Sequence, residues 1–267
     1  MGFDFTNRLV YGTFFMLWTV LLNTVFSDMT TVACPAPCEC RPTSSCTGTY
    51  VNCMNKGLKE VPTGIPKDTC NLNLYGNQIS RINNNTFKGL PQSETLSLWN
   101  NQITRIDNDA FAGLSELRKL YLWNNQITRI DNDAFAGLSE LRELSLSNNQ
   151  ITRIDNDAFA GLSELRELYL YNNMITSIKS IVFEKFPQLQ ELYVGGNPFQ
   201  CTCDLQSFVE FMKGFLPYNS QYYDEPTCSS PDHLKGKEII NVSYHDMTCD
   251  STSSKYSRKR IHFLTLM

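Results

Sequence analysis

The sequence predicts an α/β solenoid: short parallel strands stacked into a concave β-sheet, with an irregular convex side and a disulfide-bonded cap at each end. Three observations carry this. Leu72, Leu96, Leu120, Leu144, Leu168 and Leu192 recur every 24 residues without slippage. All ten cysteines fall toward the ends, from Cys34 to Cys70 and from Cys201 to Cys249, so the stretch between Cys70 and Cys201 must hold itself together by packing. The run NNQITRIDNDAFAGLSELR stands three times unchanged, starting at Asn100, Asn124 and Asn148.

At the start of the chain, Arg8 ends a short polar region, Leu9 to Leu22 is apolar, and small or branched residues follow at Val25 and Ser27. A membrane-spanning helix needs roughly 20 apolar residues, so residues 1–27 read as a signal peptide. No later segment could span a bilayer, and the apolar end IHFLTLM is too brief for a lipid-anchor signal. A secreted, extracellular chain follows, and there ten cysteines predict disulfides. Zinc is disfavoured because no histidine is interleaved with them. Asn84 and Asn241 open glycosylation sequons. The net charge of −4, with acid and base well mixed, argues against a nucleic-acid or membrane-surface partner.

Each repeated leucine is followed two residues on by an apolar residue (Leu74, Leu98, Leu122, Leu146, Leu170, Val194), and three further on by Asn77, Asn101, Asn125, Asn149, Asn173 or Asn197. The unit L-x-x-L-x-L-x-x-N-x-I is the leucine-rich-repeat signature, which predicts a horseshoe. An L-x-L step is a strand with alternate residues in and out, and one strand cannot bury its leucines alone, so copies stack. The asparagines should satisfy backbone groups from inside at the turn. Ile82, Ile106, Ile130, Ile154 and Ile178, then Phe87, Phe111, Phe135, Phe159 and Phe183, should form two core columns under the convex side.

The boundaries read as an N-terminal cap over 28–66, repeats over 67–196, a C-terminal cap over 197–249 and a tail over 250–267. Cysteine order pairs Cys34–Cys40, Cys38–Cys53, Cys201–Cys228 and Cys203–Cys249, which leaves Cys46–Cys70; order alone leaves other connectivities open. A helix is expected over Asp204 to Lys213, with Leu205, Phe208, Val209 and Met212 on one face.

The three identical runs are followed by KLYLW, ELSLS and ELYLY. Their leucines agree, so the copies differ only at Lys119, Tyr121 and Trp123, at Glu143, Ser145 and Ser147, and at Glu167, Tyr169 and Tyr171. These are outward strand positions; drift scattered over the whole unit would land there with a chance of roughly 1 in 500, given strand alternation. The outward columns also hold Tyr75, Trp99, Glu191 and Tyr193, with small polar residues between: Asn73, Ser97, Asn148, Gly195 and Gly196. Tyr and Trp among Ser, Asn and Gly is the composition of antibody-like binding surfaces. The ligand-binding candidates are therefore Tyr75, Trp99, Lys119, Tyr121, Trp123, Glu143, Ser145, Ser147, Glu167, Tyr169, Tyr171, Glu191 and Tyr193. The competing reading, that the aromatics only brace the sheet, leaves the confinement of variation unexplained. Lys119 heads a column that continues as Glu143, Glu167 and Glu191, which favours a basic or amine-rich partner patch.

Catalytic chemistry is not expected. His233, His245 and His262 have no partners at triad or metal spacing. The repeated Asp107, Asp109, Asp131, Asp133, Asp155 and Asp157 lie beside Arg105, Arg129 and Arg153, which points to surface ion pairs rather than calcium. No enzyme, metal or cofactor is predicted, and the oligomeric state is not legible.

Residues 34 to 249 resemble extracellular leucine-rich-repeat proteins with cysteine-rich caps, through CPAPCEC…VNCMNKGLKEVPTGIP and NPFQCTCDL with Cys228 and Cys249. Within that family, near-identical modules with varied strand positions look like the variable lymphocyte receptors of jawless vertebrates or a related invertebrate receptor. That resemblance implies antigen-like protein or glycan ligands on the concave face, with a further contact from a C-terminal cap loop. The caps are also similar to those of Slit-type guidance and extracellular-matrix proteins, which implies the alternative of one fixed partner.

Overall fold

The computed structural model describes residues 33–215 and 225–247. The expected signal peptide, the tail and the Cys203–Cys249 bridge lie outside the described residues, although Cys203 is itself disulfide-bonded. The solenoid belongs wholly to the unit that begins at Cys34.

In chain order the described strands are β1 (Glu39–Pro42), β2 (Thr49–Asn52), β3 (Thr69–Asn73), β4 (Arg81–Ile82), β5 (Thr95–Ser97), β6 (Arg105–Ile106) and β7 (Lys119–Tyr121). They continue as β8 (Arg129–Ile130), β9 (Glu143–Ser145), β10 (Arg153–Ile154), β11 (Glu167–Tyr169), β12 (Glu191–Tyr193), β13 (Phe199–Gln200) and β14 (Cys228–Ser230), with helix α1 (Gln206–Gly214) before the last. The concave sheet runs β1-β2-β3-β5-β7-β9-β11-β12. Only its first pair is antiparallel, because β1 and β2 are the hairpin of the N-terminal cap. From β3 onward the pairing is parallel and in step, Leu72 to Leu96 to Leu120 to Leu144 to Leu168 to Leu192. This unit is a leucine-rich-repeat horseshoe with disulfides near its ends.

Register is held by burial. A one-residue slip would turn the leucines outward, and Leu96, Leu120, Leu144 and Leu168 are all at most 1% exposed. Where each strand ends, a buried asparagine takes over the pairing. Asn125 Nδ2 donates to the carbonyls of Leu98 and Leu122, both at 3.0 Å, and its Oδ1 accepts from the Ile103 amide at 3.0 Å. Asn101, Asn149, Asn173 and Asn197 repeat this pattern.

Beneath the convex side Phe87, Phe111, Phe135 and Phe159 stack at 5.9, 5.8 and 5.7 Å. The expected fifth ring differs. Phe159 packs on Phe186 at 5.8 Å, while Phe183 is buried against Phe208 and Phe211 of the cap helix. The last coil lacks the N-D-A turn of its predecessors and forms the 3-10 turn Ser180–Val182 instead, which directs Phe183 toward the cap. Ile154 is also less covered than its column partners.

Disulfides join Cys34 to Cys40, Cys38 to Cys53, Cys46 to Cys70 and Cys201 to Cys228. The Cys46–Cys70 bridge ties the N-terminal cap to β3. At the other end α1 buries Phe208, Val209 and Met212 over the final coil. The helix starts two residues later than expected because Cys203–Leu205 forms a tight 3-10 turn, with Leu205 still buried.

Candidate functional site

Strand pairing aligns the outward residues into three columns across the concave face. The first runs Asn71, Thr95, Lys119, Glu143, Glu167, Glu191, and the second Asn73, Ser97, Tyr121, Ser145, Tyr169, Tyr193. The third, just past the strands, runs Tyr75, Trp99, Trp123, Ser147, Tyr171, Gly195. It is held in step by backbone bonds such as the Asn100 amide to the Trp123 carbonyl and the Asn124 amide to the Ser147 carbonyl. The variable positions of the three copied runs thus meet on and just past β7, β9 and β11, side by side at the centre of the face.

Aromatic rings dominate two columns. Tyr75 stacks on Trp99 at 3.6 Å and Trp99 on Trp123 at 4.1 Å, while Tyr169 stacks on Tyr193 at 4.9 Å. Stacked pairs of this kind fix ring orientation before any partner arrives. The first column supplies charge. Lys119 Nζ lies 2.8 Å from Glu143 Oε2, which also accepts from the Tyr121 hydroxyl at 3.1 Å. Tyr169 and Tyr193 donate to Glu167 and Glu191, both at 2.8 Å. The Glu143 hydrogen bond holds the Lys119 amine above its ordinary range. Burial, then the Glu143 charge, pushes the Tyr121 phenol up. Burial, then Glu167, does the same more strongly to Tyr169. At neutral pH the Lys119 amine and the Tyr121 and Tyr169 phenols therefore stay protonated.

Three candidates are less accessible than their outward direction predicts. Ser145 and Ser147 are 9% and 0% exposed and Tyr193 is 6% exposed, so outward direction did not make them accessible. Serine side chains are short, and the rings of β7 and β11 stand above them on both sides. Tyr193 lies on Tyr169 and folds back to Glu191. The remaining aromatics are half-buried, and Lys119 is exposed.

Two features of the face escaped the sequence reading. Tyr50 of the cap pairs in register with Asn71. Arg41 lies over its ring at 4.9 Å, and its hydroxyl accepts from Asn73 Nδ2 at 3.2 Å. The signal was Val51 and Cys53 alternating like Leu72 and Leu74, but offset by 21 residues rather than 24. The second is an asparagine rim. Asn100, Asn124, Asn148 and Asn172 all take positive φ of 52–57°, and Asn124 donates to Asn100 at 2.6 Å and Asn172 to Asn148 at 3.0 Å. Gly196 ends this rim because a Cβ there would sit 2.1 Å from Asn172 Oδ1.

On the convex side the aspartates pair with arginine: Arg81 grips Asp107 through two nitrogens at 3.0 and 2.7 Å, and Arg129 and Arg153 meet Asp131 and Asp155 at 3.0 and 2.6 Å. These are exposed pairs, worth up to about 1 kcal/mol each. Asn84 and Asn241 are both exposed. Much of the segment between Phe215 and Cys228, where the cap-loop contact was expected, lies outside the described residues. No described helix is long and apolar enough to cross a membrane.

Residues 93–151 and 139–199 match the family model for the leucine rich repeat. Leucine-rich repeat-containing protein 3 of Danio rerio is 38% identical over 81 residues, 30% of this chain and 30% of that protein. Vasorin of Xenopus tropicalis is 37% identical over 75 residues, 28% of this chain and 10% of that protein. The likeness therefore spans less than a third of either relative. Among solved structures, a crystal structure of a TLR13–ssRNA13 complex superposes with a TM-score of 0.55 at 34% identity, covering 60% of this chain and 24% of that one. With the period, the asparagine ladder and the in-step parallel sheet, these matches identify residues 93–199 as leucine-rich repeats.

Proposed function

We propose that this chain is a secreted or cell-surface recognition protein, not an enzyme, that binds antigen-like protein or glycan ligands of immune type on its concave face. One observation carries the reading: three copies of 19 identical residues differ afterward only at outward positions of β7, β9 and β11. Copying has preserved the core and convex side, while the face that meets solvent at the centre of the array has been diversified. Half-buried Tyr and Trp anchors beside adaptable polar groups suit such a surface. The RNA of the TLR13 complex is not carried over, since three carboxylates on this face would repel a polyanion. The alternative is a guidance or matrix protein with one fixed partner.

The test begins with a panel of secreted proteins and glycans screened against the full chain. For a partner so found, Trp123→Ala should weaken binding by about 2 kcal/mol or more and barely change the melting temperature. Phe135→Ala should do the reverse, costing about 3–5 kcal/mol of stability. If Trp123→Ala and Tyr121→Ala leave affinity unchanged, the concave-face reading is wrong. Sequencing the locus across individuals separates immune from fixed-partner roles: codons 119, 121 and 123 varying no more than the convex run would sink the antigen-receptor reading.

A further inference from the structure

The aromatic columns are interrupted in the same coil. The outward positions hold Glu143 and Ser145 on β9 and Ser147 just past it, with Tyr121 and Trp123 on the β7 side and Tyr169 and Tyr171 on the β11 side. The result is a notch of about 240 Å³, lined by those four rings, Ser145 and Glu143. We propose that this notch is a seat for one arginine side chain of a protein partner, its guanidinium lying between the aromatic walls and its charge meeting Glu143. The proposal deepens the concave-face reading and rests on it.

Thickness is the first argument. Strands β7 and β11 are two spacings apart, about 10 Å at the backbone. Rings on this face converge: successive coils place Tyr75, Trp99 and Trp123 only 3.6 and 4.1 Å apart. In the column that holds Tyr121, Ser145 and Tyr169 the ring step is 4.9 Å, between Tyr169 and Tyr193; two steps thus set the notch walls roughly 8–10 Å apart, and a flat group needs about 3.5–4.0 Å of stacking distance on each side. One planar layer fits where the serines leave out a ring.

Charge is the second. Glu143 closes one end of the notch, with Glu167 beside it in register on β11. Lys119 is the single base in the column, and it leans onto Glu143 from an exposed position on β7. A guest cation would compete with Lys119 for Glu143. A group both planar and cationic is a guanidinium, which stacks on Tyr and Trp faces and bonds a carboxylate through its fork, whereas an ammonium is compact and leaves one wall uncovered. A neutral sugar ring could also lie on the walls, but it would cover Glu143 without compensating its charge.

The test uses acetyl-Gly-Arg-Gly-amide, its citrulline counterpart (the same shape without charge), its lysine counterpart and methyl glucoside, titrated into the full chain while Trp indole NMR signals are followed. The arginine peptide should shift the Trp123 indole and bind at least about fivefold more tightly than the citrulline peptide, the scale of one cation–π contact. Glu143→Gln should weaken it several-fold, and Lys119→Gln should tighten it by freeing Glu143. Ser145→Tyr should abolish binding while the chain melts normally, because tyrosine already occupies this column in β7, β11 and β12. Equal binding of the citrulline peptide, preference for the glucoside, or arginine binding that survives Ser145→Tyr overturns the proposal. If the arginine peptide fails while a partner from the panel still depends on Trp123, the notch assignment falls alone and the concave-face reading stands.

Discussion

Replacing Asn125 by alanine tests the physical account of the coil. This side chain is 7% exposed and makes three hydrogen bonds of 3.0 Å, with a longer one of 3.4 Å to the Trp123 carbonyl. The loss is not three times one bond. The Leu98 carbonyl also accepts from Asn101, and the Leu122 carbonyl from Asn149, each at 3.0 Å, so both keep a partner and each loses only a net bond of about 0.5–1.5 kcal/mol. The buried Ile103 amide has Asn125 Oδ1 as its acceptor and is orphaned, at about 1–3 kcal/mol. The expected cost is therefore about 2–6 kcal/mol. Urea unfolding followed by circular dichroism measures it from the midpoint and slope. The neighbour provides the control. Asn124 is exposed at φ 56° and gives one bond to Asn100, and glycine holds the equivalent rim places at Gly76 and Gly196. Asn124→Gly should cost under about 1 kcal/mol. If Asn125→Ala costs no more than Asn124→Gly, the ladder does not hold the coils together as argued.

Three further outcomes follow from particular side chains. Ser147 Oγ is buried without a hydrogen-bond partner among the described residues, so Ser147→Ala should be neutral or stabilise by up to about 1 kcal/mol; a clear loss of melting temperature would contradict this. Hydrogen bonds from the Ser243 hydroxyl and amide, then Lys237, hold the Asp246 carboxyl at about 2, below its ordinary 3.8. Because the folded value is depressed, this group's stabilisation is present above about 3.8 and disappears as pH falls toward 2; NMR titration should find the low midpoint, and Ser243→Ala should raise it. On expression in secretory cells, Asn84 and Asn241 should each carry a glycan, so Asn84→Gln and Asn241→Gln should each remove one glycosidase-sensitive mass step.

The architecture was legible because a strict 24-residue period leaves one packing solution: leucines in, asparagines at the turn, aromatics and charges out. What periodicity does not encode is height. Ser145 and Ser147 occupy outward positions and are still covered, since accessibility depends on the side chains of the adjacent coils as much as on direction. It also does not encode departures from the period. Tyr50 entered the face through a 21-residue offset, and Phe186 displaced Phe183 from the ring column because the last coil turns differently. The Arg81–Asp107 grip joins neighbouring coils over 26 residues, a pairing that the local Arg105-Asp107 spacing concealed.

The same geometry explains why diversity belongs on this side. Neighbouring coils are joined by backbone bonds, buried leucines and the asparagine ladder, and none of these involves the outward side chains of β7, β9 or β11. Exchanging those residues alters only surface contacts between coils, such as the Lys119–Glu143 pair and the Tyr169–Tyr193 stack, and leaves the buried interface intact, so stability, which in a stacked array sums over nearest neighbours, is much less sensitive to the change. Recognition is not indifferent. Phenylalanines under the convex side are spaced 5.7–5.9 Å apart, whereas stacked rings on the concave side approach to 3.6–4.9 Å. The coils fan outward behind and converge in front, so a guest on the concave face touches residues from several coils at once. A substitution there changes a shared surface, while an equal substitution on the diverging side changes one coil's exposed edge.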